Sequence, residues 1–273
     1  MSLFVDQLEN LCRTGAGQLS ADARKRLCDA LRRLHVPSGG YAGLDGAPDP
    51  YYSFFVYQCL TALGAPIDRD ALLEYASHCV APTYVDRVAA EALRQACTAQ
   101  WSPTAALRLL LRSSAESEAY GRFFALWQAD RAFSPRILSW WARIAWLSLR
   151  KQVMQRSGLV LPHLAVGLVI AHVAGDRAAT RQLITRIQRY RVAGGGFACM
   201  VGHGGDLLAT AVAVAALRMA GAKHALNRHR EIDRDFVELC WLGDDLFGAT
   251  PLAEKGDAEY TFYGMLALGA LSS

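Results

Sequence analysis

Gly194-Gly195-Gly196-Phe197, the loop running on to Asp206, and the apolar run Leu207–Met219 decide the fold. The glycines read as a tight turn and the aspartate as a helix cap. The small apolar residues after it read as a helix able to be buried on every side. The same phrase stands near the N-terminus as Gly39-Gly40-Tyr41, then Asp49, then Tyr51–Leu63. An eroded copy stands near the C-terminus as Phe247-Gly248, then Asp257, then Ala258–Leu271. Four residues after each aspartate comes a hydroxyl, at Ser53, Thr210 and Thr261, a spacing that puts both positions on one helix face. The aspartates are 157 (206 − 49) and 51 (257 − 206) residues apart. The first interval is about three times the second, so further, degraded copies are expected between them.

The phrase (Gly-Gly-aromatic, loop, Asp, two residues, a tyrosine-like position, Ser/Thr, apolar helix) resembles the prenyltransferase and squalene-oxidase repeat. That repeat builds protein prenyltransferase β subunits and triterpene cyclases. Its copies cover roughly a third of this chain. The resemblance implies an α/α toroid, with an inner ring of helices around an apolar cavity and an outer ring covering it. It implies no one activity, because function resides in sites grafted onto folds.

Helix signals along the chain agree with that architecture. Ser20 caps the first convincing helix, Ala23–Leu34, with leucines on one face and arginines on the other. Asp49-Pro50 is a favoured helix start and opens the first inner helix. Outer helices are expected at Asp68–His78, Pro103–Arg112, Arg136–Gln152, Ala178–Tyr190 and around Ile232–Trp241. Inner helices are expected at Tyr84–Ala99, Glu116–Ala129 and Leu159–Ala174, besides the three in the phrases. The reading is an all-α, single domain over residues 1–273, an (α/α)6 toroid of six outer/inner pairs.

Hydrophobic residues make up 52% of the chain and charged residues 20%, enough for a large core and too few charges for disorder. The net charge of +4 is modest and the basic residues read as spread over many helices, so no nucleic-acid partner is expected. The N-terminus has acidic Asp6 and Glu9 and no basic, then apolar, leader pattern, so no signal peptide is expected. Leu159–Ala174 is short for a membrane span and is broken by Pro162, His163 and His172. Seven cysteines without CxxC pairing suit buried thiols in a reducing compartment. A cytoplasmic protein is expected, with peripheral membrane contact left open.

Protein prenyltransferases hold zinc with an Asp-x-Cys pair and a later His, each at the start of an inner helix. By alignment of the phrases Asp206 matches the Asp, but Leu208 replaces the Cys and Tyr260 the His. One ligand of three remains, so no metal is expected. The Asp-x-Asp-Asp acid of triterpene cyclases is missing too. Asp244-Asp245 and Asp233-x-Asp235 come nearest and read as solvated acidic residues.

Asp49, Asp206 and Asp257 read first as helix caps. Inner helices of a toroid start at one end of its cavity, which would bring these aspartates together with Tyr52 and Tyr260. His203, in the loop Gly202-His203-Gly204-Gly205, has few packing duties and is the best single candidate for acid/base work. The loop has no Gly-Lys-Ser/Thr and is not a phosphate cradle. Cys199 reads as a buried thiol, and His163 and His172 as core histidines. Tyr51, Phe54, Phe55, Tyr57, Phe123, Phe124, Trp127, Phe262 and Tyr263 read mostly as packing, with rings suited to a carbocation if they face the cavity.

The expected function is a metal- and cofactor-independent enzyme of cyclase, isomerase or lyase type. Its substrate would be hydrophobic, isoprenoid- or polyene-like, held in the central cavity, with Asp49, Tyr52, His203, Asp206, Asp257 and Tyr260 at the mouth. The alternative is a non-catalytic toroid that binds a lipid or a partner protein.

Overall fold

A computed structural model describes residues 4–108, 127–156 and 158–272, with backbone alone at 135 and 136. The repeated phrase proves to be one hydrogen-bonded unit used three times. Its aromatic residue forms an isolated β-bridge with the residue six positions earlier: Tyr41 with His35, Phe197 with Arg191, Phe247 with Trp241. The aromatic N–H donates to the helix hydroxyl, at 2.8 Å for Ser53, 2.9 Å for Thr210 and 3.2 Å for Thr261. The aromatic carbonyl accepts from the N–H of Asp49, Asp206 or Asp257, at 3.0 Å in each copy. All three hydroxyls are fully buried, so each satisfies a backbone donor that water cannot reach.

The turn requires one residue in the left-handed region. Its φ is +88° at Gly39, +96° at Gly195 and +66° at Asp245. The third copy therefore differs from the sequence reading. Gly248 only follows the aromatic, and the turn position belongs to Asp245, a residue type that tolerates this conformation. Asp244 is exposed, as the sequence reading has it, but it also has a structural duty. Its carboxylate accepts from Leu246 N–H at 3.1 Å and Gly256 N–H at 2.9 Å, which holds the turn without a glycine. Asp233, by contrast, corrects the solvated reading. Its side chain is fully buried, bonded to Arg191 Nη1 at 2.7 and 2.5 Å and to Gly196 N–H at 3.0 Å. Arg191 in turn lies 4.4 Å over the Phe197 ring, so ion pair, turn and aromatic form one knot.

Twelve helices are bounded within the described residues. They are α1 (Val5–Gln18), α2 (Ala21–Arg33), α3 (Pro50–Ala62), α4 (Arg69–His78), α5 (Tyr84–Thr98) and α6 (Pro135–Gln155). After them come α7 (Leu161–Ala174), α8 (Arg177–Gln188), α9 (Leu207–Met219), α10 (Lys223–Asn227), α11 (Arg230–Leu239) and α12 (Ala258–Leu271). Residues 103–108 and 127–132 are also helical. The rest of the expected 103–112 helix, and Tyr120, Phe123 and Phe124, lie outside the described residues. No strand occurs among the described residues, and no helix there is long and apolar enough to cross a membrane. The short α10 was not expected from the sequence.

Helices α5, α3, α12, α9 and α7 pack each on the next in that order. Of these, α3, α9 and α12 follow the phrases and are buried nearly all round, as their uniform apolarity requires. Amphipathic helices cover the arc: α4 on α5, α6 and α8 on α7, α11 on α9 and α12. α2 touches α3, while Arg26 of α2 reaches Asp245 at 3.3 Å and lies 5.9 Å over Trp241. The first and last units of the chain thus meet.

The main departure from the sequence reading is α1, which precedes the first helix expected. It packs chiefly on α12 and also on α3 and α9. At Gly15 a Cβ would stand 1.9 Å from the Met265 carbonyl oxygen, and at Gly269 1.8 Å from that of Leu11. The backbones of α1 and α12 are therefore in contact, which only glycine permits. Toward its start, Leu8 faces the same cavity as Phe262 and Leu266, so the two helices run side by side in one direction. Phe4 leaves the first N–H groups of α1 without a side-chain cap of their own. Asp130 supplies one from afar, accepting from Phe4 N–H at 2.9 Å and Val5 N–H at 2.7 Å. Arg131 adds ion pairs to Asp6, at 3.0 Å, and to Glu9.

Candidate functional site

The N-termini of α3, α12, α9 and α7 come together. Tyr51 and Glu259 each stand two residues past their capping aspartate, and the Tyr51 hydroxyl donates to Glu259 Oε1 at 2.7 Å. Loops link the remaining neighbours. Cys199 C=O accepts from Leu161 N–H of α7 at 2.9 Å, and Ala249 C=O accepts from Leu207 N–H of α9 at 2.8 Å. Each loop thereby satisfies an orphan donor of the neighbouring inner helix. For α7 this stands in for the missing cap, since Val160 offers no side chain that accepts.

All three aspartates cap. Asp49 Oδ1 accepts from Tyr51 N–H at 2.7 Å and Tyr52 N–H at 3.0 Å. Asp206 accepts from Ala209 N–H at 2.7 Å, and Asp257 from Tyr260 N–H at 2.8 Å. Burial pushes the Asp206 and Asp257 carboxyls above their ordinary range, against the lowering effect of the N–H groups they accept from. Burial also pushes both phenols far above their usual value. Tyr52 is raised further by the charges of Asp257, Glu259 and Asp49, and Tyr260 by those of Asp206, Glu259 and Asp257. The result is a row of half-buried carboxyls alternating with phenols that stay protonated at neutral pH. It can donate hydrogen bonds from the tyrosines and attract a cation to the carboxylates, but its phenols are no general bases.

Five of the six candidates, Asp49, Tyr52, Asp206, Asp257 and Tyr260, are therefore neighbours. The sixth, His203, is exposed in its loop, and its ring has no hydrogen-bond or ion-pair partner among the described residues. Its backbone N–H bonds to Met200 C=O at 3.2 Å, which fixes the loop and not the ring. The Cys199 thiol is half-buried and raised, first by burial and then by the Asp206 charge, so it is a poor nucleophile. His172 is exposed at the end of α7, which corrects its reading as a core histidine, whereas His163 is half-buried. Glu259 is the member of the row that the sequence reading missed. Its place in the phrase, matching that of Tyr51, was the available signal.

Inside the arc, aromatic side chains and α1 fill the space that a toroid leaves for a ligand. Phe55 packs on Phe262 and Tyr263, with ring centroids at 5.3 and 5.9 Å, and Trp127 packs on Phe262 at 6.3 Å. Leu8 of α1 lines the remaining space, an almost wholly apolar cavity of about 50 Å³. Among the described residues no three His, Cys, Asp or Glu side chains are grouped to hold a metal ion, and Leu208 and Tyr260 sit beside Asp206 at the helix starts. No protein-family model matches the chain, and no curated protein matches it.

Proposed function

We propose that this chain is a single ring of six outer/inner helix pairs of the prenyltransferase and squalene-oxidase repeat kind, and that it serves as a protein-interaction platform. The observation that carries the second half is the occupied interior. A void of about 50 Å³ compares with the ~300–1,000 Å³ of ordinary ligand pockets. The three aspartates at the helix starts have structural duties as caps, which supports the same reading. The loops at that end also present Leu44, Val201 and Leu252, at 80%, 60% and 93% exposure, around the carboxylate row. Apolar tips around an acidic centre suit a partner that brings apolar and cationic side chains together.

A second reading, an enzyme acting on an isoprenoid- or polyene-like substrate, is favoured by the raised carboxyls of Asp206 and Asp257 beside the protonated Tyr260. It requires α1 to leave the interior. Native mass spectrometry with lipid extraction separates the two. The platform predicts the mass of the bare polypeptide, and a stoichiometric apolar molecule released on denaturation would overturn it.

A further inference from the structure

Helix α6 is apolar on two opposite sides. One side, with Leu138, Ala142, Trp146 and Val153, is buried in the domain. The other carries Ile137, Trp140, Ile144 and Leu147, at 46%, 57%, 39% and 76% exposure. Their spacing of three, four and three residues makes a continuous stripe about 15 Å long on the solvent side. Exposed apolar surface of this continuity marks an interaction site. The sequence of α6 has Arg136, Arg143, Arg150 and Lys151 and no acidic residue. Arg150 pairs with Asp176 at 3.2 Å, whereas Arg143 and Lys151 are exposed and make no ion pair among the described residues.

The basic residues are spread over many helices, but the net positive charge is concentrated here because acidic residues are scarce. Residues 135–190 hold nine Arg or Lys and one Asp, a net +8. The chain has 29 basic and 25 acidic residues, so the remainder holds 20 and 24, a net −4. Beyond α6, Arg177, Arg181 and Arg189 on and beside α8 are exposed and extend the basic face.

We infer that α6 docks this protein onto an anionic lipid surface. The apolar stripe, with Trp140 set edge-on against Trp141 at 5.4 Å, enters the boundary between headgroups and acyl chains. Arg143, Lys151 and the arginines of α8 meet the lipid phosphates. A second copy of the chain fits the face poorly, because docking through the same stripe would bring like charges together. The inference stands apart from the proposed function, since the stripe lies on an outer helix and shares no residue with the carboxylate row.

Vesicle flotation tests it. The full chain should float with vesicles of phosphatidylcholine and phosphatidylglycerol, stay behind with phosphatidylcholine alone, and be released by added salt. Arg143→Gln and Lys151→Gln should each weaken binding about five-fold. Trp140→Ser with Leu147→Ser should weaken it at least about ten-fold. All four side chains are exposed, so unchanged melting of the variants serves as the folding control. No flotation with the anionic vesicles, or equal flotation of the variants, would overturn the inference. So would a dimer in sedimentation that Trp140→Ser with Leu147→Ser dissolves.

Discussion

Asp206 caps α9 while sitting in surroundings that disfavour its charge, and pH separates the two effects. With its carboxyl raised by burial, the folded chain binds the proton more tightly than the unfolded chain. Its contribution to stability therefore falls as pH rises from the ordinary value, 3.8, through the folded one. Asp206→Asn keeps the cap and removes the charge. It should be at least as stable as the parent at neutral pH, with the difference vanishing toward pH ~4, whereas Asp206→Ala should lose about 0.5–2 kcal/mol. Denaturant melts at both pH values check this, and an Asn variant weaker than the Ala variant would contradict it. Gly195 offers a second contrast. With φ +96° and the Ile232 carbonyl 2.2 Å from a Cβ, Gly195→Ala should destabilise by well over ~1 kcal/mol. Gly194→Ala, with nothing within 4 Å, should stay near neutral in the same melts.

The phrase is an element in its own right, and it was legible because each recurring residue closes one hydrogen bond. Asp caps, Ser or Thr receives the aromatic N–H, and glycine supplies the left-handed turn. Where another residue does the same job the signal fades, as at Asp245, and Asp233 gave none because its partner Arg191 is 42 residues away in sequence. The place of helix α1 was equally illegible. Its cap, Asp130, lies 126 residues from Phe4, and its glycines serve a contact with α12 that no local pattern announces. That contact is demanding. Gly269→Val should destabilise by about 1–3 kcal/mol or more, because a carbonyl 1.8 Å from the Cβ cannot move aside as a side chain can. Gly17→Val, near the end of α1, has open space within 4 Å and serves as the control. Equal melting temperatures for the two variants would contradict the backbone contact.

At the scale of the molecule the sequence predicted the all-helical class and the gathering of five polar residues at one end. It did not predict what occupies the middle, because amphipathicity shows which face of α1 is buried and not where. The exposed residues Gln7, Asn10, Arg13 and Thr14 share one side of α1, and Leu8, Cys12, Gly15 and Ala16 the buried one. The repeat that the phrase resembles builds a ring with a usable cavity, but here α1 lies against the arc of helices, anchored by Asp130 and Arg131 at one end and by Gly269 at the other. Hydrogen exchange read by mass spectrometry tests this occupancy directly. If α1 is a resident of the interior, amides of residues 8–16 should exchange as slowly as those of 260–270 in α12, both opening only with the whole domain. Exchange of 8–16 as fast as that of the loop 42–48, with α12 still protected, would show that α1 leaves the arc of helices and that the interior is open to a ligand.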